Sequence, residues 1–72
     1  MKISYDAEAD AVYIYLIEGK HECRTLRLTE EIALDIGQGE LLVGIEILSA
    51  KEILGQGELP SVVLKNVSFT VA

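Results

Sequence analysis

Cysteine, proline and histidine occur once each, as Cys23, Pro60 and His21, and the large aromatics stop at three tyrosines and one phenylalanine. One cysteine excludes an intramolecular disulfide. The lack of any Cys/His cluster removes a four-ligand structural zinc site. Bases are also scarce. Six Lys and Arg face twelve Asp and Glu, a formal charge of −6. Such a surface repels phosphate backbones, so nucleic acid is not an expected partner. A basic protein partner is compatible with it, and so is simple solubility. No apolar run approaches the ~18 residues of a membrane span. No signal-peptide pattern opens the chain, where Lys2-Ile3-Ser4-Tyr5 alternates like a strand. The expectation is a cytoplasmic protein with no membrane contact. Walker and dinucleotide patterns are missing too, and no cofactor is expected.

What is present is apolar content. Half of the 72 residues are hydrophobic, in a chain short enough to bury only about 60% of its unfolded surface. Without a disulfide or a metal, association with another chain is the remaining way to complete the core, and a homo-oligomer is expected.

Alternation places the strands. Lys2–Tyr5 is a short first strand, and Asp6 to Asp10 a turn in which Asp side chains hold nearby amides. Ala11 to Ile17 is a second strand, apolar on both faces: Val12, Ile14 and Leu16 on one, Tyr13, Tyr15 and Ile17 on the other. His21–Thr29 is amphipathic and suits an edge. Ile32, Leu34 and Ile36 form the inward face of a fourth strand. Leu41–Leu48 is the fifth, after a Gly37-Gln38-Gly39-Glu40 hairpin loop. Gly44 within it signals a bulge or a close backbone approach. Ser49 and Glu52 fit a capping box opening a short helix that stops at Gly55. Gly55-Gln56-Gly57-Glu58-Leu59 repeats residues 37–41 letter for letter, without flanking similarity that would mark a duplicated unit. Val62 to Val71 reads as a last strand, which could join its own sheet or a partner's. The fold class is therefore α+β: a small, mainly antiparallel sheet of five or six strands with one short helix after the fifth strand. Residues 1–54 form the β-rich core domain, and 55–72 a linker plus C-terminal strand.

Several groups could carry chemistry. Asp6, Glu8 and Asp10 offer hard oxygen ligands for Ca²⁺ or Mg²⁺, but the further ligands of a calcium loop are missing, and a solvated turn is the simpler expectation. His21 and Cys23 share a strand face and suit zinc or copper only if a second pair joins them. As a nucleophile pair they would run parallel rather than meet. Asp35 and Glu46 could approach across the fourth and fifth strands for acid–base work, or lie on a solvent face beside Arg24 or Arg27. A closed pocket lined by Asp35, Glu46 and Tyr15 would favour an enzyme. Tyr13, Tyr15, Ile17, Val63, Val67 and Phe69 are the candidate interface residues.

Two segments together carry a resemblance. Tyr5-Asp6-Ala7-Glu8-Ala9-Asp10-Ala11-Val12-Tyr13-Ile14 and Leu42-Val43-Gly44-Ile45-Glu46-Ile47-Leu48 resemble a widespread family of small prokaryotic proteins, classed only as a domain of unknown function. Its members open Tyr-Asp-x-Glu-Ala-Asp-Ala-Leu-Tyr-Ile and later carry Leu-Val-Gly-Ile-Glu-Ile-Leu. The likeness covers residues 1 to 54. Val12 departs from the usual Leu, and the Gly-Gln-Gly loop replaces a more acidic one. The resemblance implies a compact β-rich fold with a short helix and no established catalytic residues. Some relatives are encoded beside small toxin-like proteins, which implies an antitoxin or partner-binding role. The leading expectation is a non-enzymatic interaction module, an antitoxin-like acidic partner of a small basic protein, steered by its acids and held by apolar strand surface. A small-ligand or metal-binding protein is the alternative.

Overall fold

The computed structural model describes residues 1–65. Among the described residues, five strands form one antiparallel sheet: β1 (Lys2–Asp6), β2 (Ala11–Tyr15), β3 (Arg24–Arg27), β4 (Ile32–Ile36) and β5 (Leu42–Ile47). Their order is β1-β2-β5-β4-β3. One short helix, α1 (Ala50–Gly55), follows β5. The α+β architecture expected from the sequence is the one observed.

The period-2 alternation works because every strand takes part in one continuous register. Ile3 pairs with Ile14, Ile14 with Ile45, Ile45 with Leu34, and Leu34 with Leu26. These five residues make a single apolar row across the whole sheet, about 19 Å wide at the usual strand spacing. Helix α1 covers the neighbouring row, where Val12 and Ile47 are buried and close around Ala50, and its Leu54 shares an apolar groove with Ile3 and Ile14. Tyr5, Ile14 and Ile45 pack against this core while remaining part-exposed. The opposite face is polar.

Four differences from the sequence reading have local causes. β2 ends at Tyr15, because the amides of Leu16 and Ile17 both donate to the Val43 carbonyl, at 2.8 and 3.3 Å. The register there slips: Asp35 pairs with Gly44 and Ile36 with Leu42, passing over Val43. The third strand begins at Arg24, so His21 and Cys23 precede it and do not share a strand face. The capping box does not form. Ser49 stands in the left-handed region (φ 49°) and makes no side-chain cap bond. Asp10 caps the helix in its place: its carbonyl accepts from Ala50 N–H at 2.9 Å and its carboxylate from Lys51 N–H at 3.3 Å. Finally, α1 includes Gly55, and Gln56 takes the left-handed cap position.

The Gln38–Glu40 loop is a 3₁₀ turn with Gly39 at φ 77°, the conformation that favours glycine. Of the proposed last strand, Val62 to Lys65 have no regular structure, and residues 66–72, including Val67 and Phe69, lie outside the described residues.

Candidate functional site

The polar face is organised around one contact that sequence reasoning did not find. Tyr13 on β2 reaches over β5 and donates its phenol to Asp35 Oδ2 on β4. The crossing is possible because the residue beneath is Gly44. A Cβ there would stand 2.7 Å from Cε1 of Tyr13. Gly44 thus marks both a bulge and a close approach. Asp35 uses its other oxygen, Oδ1, to accept from Thr25 Oγ1 at 2.8 Å, so one carboxylate ties β2 to β3 across the sheet. Tyr15 leans on Tyr13 with ring centroids 4.4 Å apart, and Lys2 Nζ lies 4.7 Å from the Tyr15 centroid. Beside this cluster Arg27 pairs with Glu46 at 3.3 Å. Both flank Ala33 in the register, and their ion pair roofs it to 2% exposure.

Asp35 and Glu46 therefore share a face but not a site. Each carboxylate is engaged by a different partner, one rung apart. Neither of the two main cavities is lined by Asp35, Glu46 or Tyr15. One is an open cleft of about 690 Å³ between the loops preceding β3 and β5. Lys20, His21 and Arg24 reach it, but Arg24 is already held by Glu40 at 2.6 Å. The other is an apolar groove of about 180 Å³ between β1–β2 and the Leu54–Val62 segment.

Burial, reinforced by the bond to Asp35, pushes the Tyr13 phenol up from its ordinary pKa of 10.0. The bond to Asp10 pushes Tyr5 in the same direction. In the folded chain Tyr13 holds its proton at a pH where the unfolded chain has lost it. This contribution is complete below pH 10 and disappears as pH rises through the folded value. Tyr13→Phe is therefore expected to give a shallower fall of urea midpoint between pH 9 and 11 than the wild type. Equal slopes would show that Tyr13 is not the linked group.

In the acidic turn, Asp6 and Asp10 are engaged as hydrogen-bond acceptors, and Glu8 contributes its backbone amide. Asp6 Oδ1 accepts from the amides of Glu8 (3.0 Å) and Ala9 (3.3 Å). Asp10 Oδ1 accepts from Tyr5 Oη at 2.9 Å as well as capping α1. His21 Nε2 contacts the Glu18 carbonyl at 2.7 Å, and the exposed Cys23 thiol points to the His21 carbonyl at 3.5 Å. Among the described residues, no three His, Cys, Asp or Glu side chains converge as a metal site would require.

The interface candidates fall into different settings. Tyr13 finds cover within its own sheet. Tyr15 is partly exposed, Ile17 is half-buried and Val63 is 81% exposed. Larger than any of these is a surface formed by the apolar row. None of its five residues is buried, and its ends, Ile3 and Leu26, are 48% and 42% exposed. Only the strand order reveals it, because the row draws on five separate segments. Among the described residues no helix is long and apolar enough to cross a membrane.

A family model described as "Protein of unknown function (DUF2283)" matches residues 2–51. No curated protein and no solved structure matches the chain.

Proposed function

Because the chain belongs to this family of unknown function, we propose a function from geometry alone: it is a non-enzymatic protein-interaction module. The observation that carries this is the apolar row, which crosses all five strands without one buried residue. Its ends, Ile3 and Leu26, are exposed, whereas Ile14, Leu34 and Ile45 are half-buried; an apolar stripe left partly open in this way suits cover by another chain. The charge has a separate role. No charged side chain is buried among the described residues, so the excess of acids stays at the surface. There it favours encounter with a basic protein and disfavours acidic ones. An antitoxin-like partner of a small basic protein fits both features.

The reading has a direct test. Tagged wild-type chain is used to capture partners from its native cells, with Leu26→Lys as a second bait. The expected result is a small basic protein held by the wild type and released by salt. A wild-type bait that retains no other protein at low ionic strength overturns the basic-partner role.

A further inference from the structure

We infer that the outer edge of β1 is an interface between two copies of this chain. The two β1 strands pair antiparallel about a two-fold axis at Ser4 and join the sheets into one. The inference concerns the rim of the sheet and stands apart from the apolar row.

Backbone bonding fixes which groups this edge offers. In an antiparallel ladder, alternate residues bond one neighbouring strand and the residues between them bond the other. Leu16 N–H donates to the Val43 carbonyl at 2.8 Å, and this pair continues the line of Val12–Ile47 and Ile14–Ile45. Val12 and Ile14 therefore bond β5, whereas Ala11, Tyr13 and Tyr15 bond β1 through Asp6, Ser4 and Lys2. On the other side of β5, the bond from Leu48 N–H to the Glu31 carbonyl gives the same alternation. Ile3 and Tyr5 are left with N–H and C=O directed outward from the sheet. No backbone bond from another described segment reaches them.

The side chains select the register. With the axis at Ser4, Ile3 meets the partner's Tyr5, and the outward groups of both residues are used. An axis at Ile3 or at Tyr5 leaves the other of these residues without a mate inside the strand. The Ser4 axis also brings Lys2 opposite the partner's Asp6, once at each end of the contact. These are non-hydrogen-bonded positions, where side chains stand closest, and opposite charges placed there attract. Both groups are available. Among the described residues the ion pairs are Arg24–Glu40 and Arg27–Glu46, and Asp6 uses only Oδ1 in its turn. Lys2, Ser4 and Asp6 are exposed, and Ile3 is 48% exposed. Two chains of −6 repel each other; this contact opposes that repulsion locally with a Lys against an Asp at both ends. A surface that is its own complement in this way satisfies a two-fold, closed interface.

The other edge lacks the pattern. Leu28 N–H donates to the Ile32 carbonyl, so on β3 the outward groups belong to Thr25 and Arg27. A two-fold axis at Leu26 sets Arg27 against Thr25 and Arg24 against Leu28, with no acid opposite either base. An antiparallel join of β1 to β3 would set Ile3 and Tyr5, of the apolar face, beside Thr25 and Arg27, of the polar one.

Amide exchange followed by NMR, with sedimentation on the same samples, tests this. The expected result is a dimer at 100 μM in which the amides of Ile3 and Tyr5 are slowed while those of Thr25 and Arg27 exchange freely. Dilution into the monomer range releases Ile3 and Tyr5. Lys2→Glu is expected to weaken the dimer at least tenfold. Ser4→Cys in a Cys23→Ser background is expected to give a disulfide-linked dimer on mild oxidation, because the axis holds the two copies of this position within disulfide reach. Leu26→Cys in the same background is not expected to do so. A monomer at 100 μM overturns the proposal. So does protection of Ile3 and Tyr5 that dilution leaves unchanged, since a segment of the same chain would then hold the edge. A dimer that protects Thr25 and Arg27, or neither edge, places the contact elsewhere and overturns it as well.

Discussion

Gly44→Ala is expected to destabilise the chain by about 2–3 kcal/mol, although alanine is ordinarily the better residue inside a strand. The cause is one atom. The Cβ would fall 2.7 Å from Cε1 of Tyr13, and the phenol oxygen is nearer still. The ring cannot yield sideways, because Tyr15 sits 4.4 Å away, centroid to centroid. If it lifts, it loses Asp35, the acceptor that couples β2 to β4. Urea unfolding would show the loss as a lower midpoint with little change in slope. The explanation is checked by repeating the substitution in a Tyr13→Ala background. There the ring is gone, and Gly44→Ala should be neutral or slightly stabilising. An equal penalty in both backgrounds would place the cost in the β5 backbone and remove the ring from the account.

Much of this fold was legible because its information is local. Alternation in residues 2–5 and 32–36, and the β-branched and aromatic run over 11–15, mark strands locally. The glycines of residues 37–39 mark a tight turn for the same reason. Gly44 was readable as an anomaly, a residue without a side chain in the middle of a strand. What lay over it was not readable, since Tyr13 is 31 positions earlier and meets it only through the β2–β5 pairing. The order β1-β2-β5-β4-β3 is likewise a property of the assembled sheet. The apolar row depends entirely on that order. Leu26 alone looks like an ordinary residue of an amphipathic edge strand. Placed beside Leu34 and Ile45, it becomes the rim of a surface.

The acids of the first turn show the same limit from the other side. Their spacing suggests either a ligand set or a solvated turn, and the local part of that choice holds for Asp6, which caps the turn it begins. Asp10 behaves differently because its backbone enters the left-handed region, φ 49°. Its carboxylate accepts both from Tyr5 within the hairpin and from the first turn of a helix 40 residues on. Ser49 and Glu52 present the same letters as a capping box, yet the left-handed Ser49 cannot aim its hydroxyl at the helix amides. Two residues with unusual backbone angles thus exchange roles: the one next to the helix does not cap it, and the distant one does.

Asp10→Ala should therefore cost about 2 kcal/mol, the combined loss of a helix cap and of a hydrogen bond to a carboxylate. For a domain of this size that corresponds to a fall in Tm of roughly 8–16 °C. Two donors lose their acceptor together, Tyr5 Oη and Lys51 N–H. A helix of six residues has little stability of its own, so its first turn depends on this support. Faster hydrogen exchange at Lys51 is the local sign to expect. Asp10→Asn keeps an oxygen acceptor and a residue type that tolerates the left-handed region, and its loss should be about half as large. Ser49→Ala, which deletes the hydroxyl of the apparent cap, should stay within ~0.5 kcal/mol. The three variants order the explanations. If Ser49→Ala proves as damaging as Asp10→Ala, the helix is capped locally after all. If Asp10→Ala alone is damaging, the turn's acids are structural ties holding α1 over Val12 and Ile47.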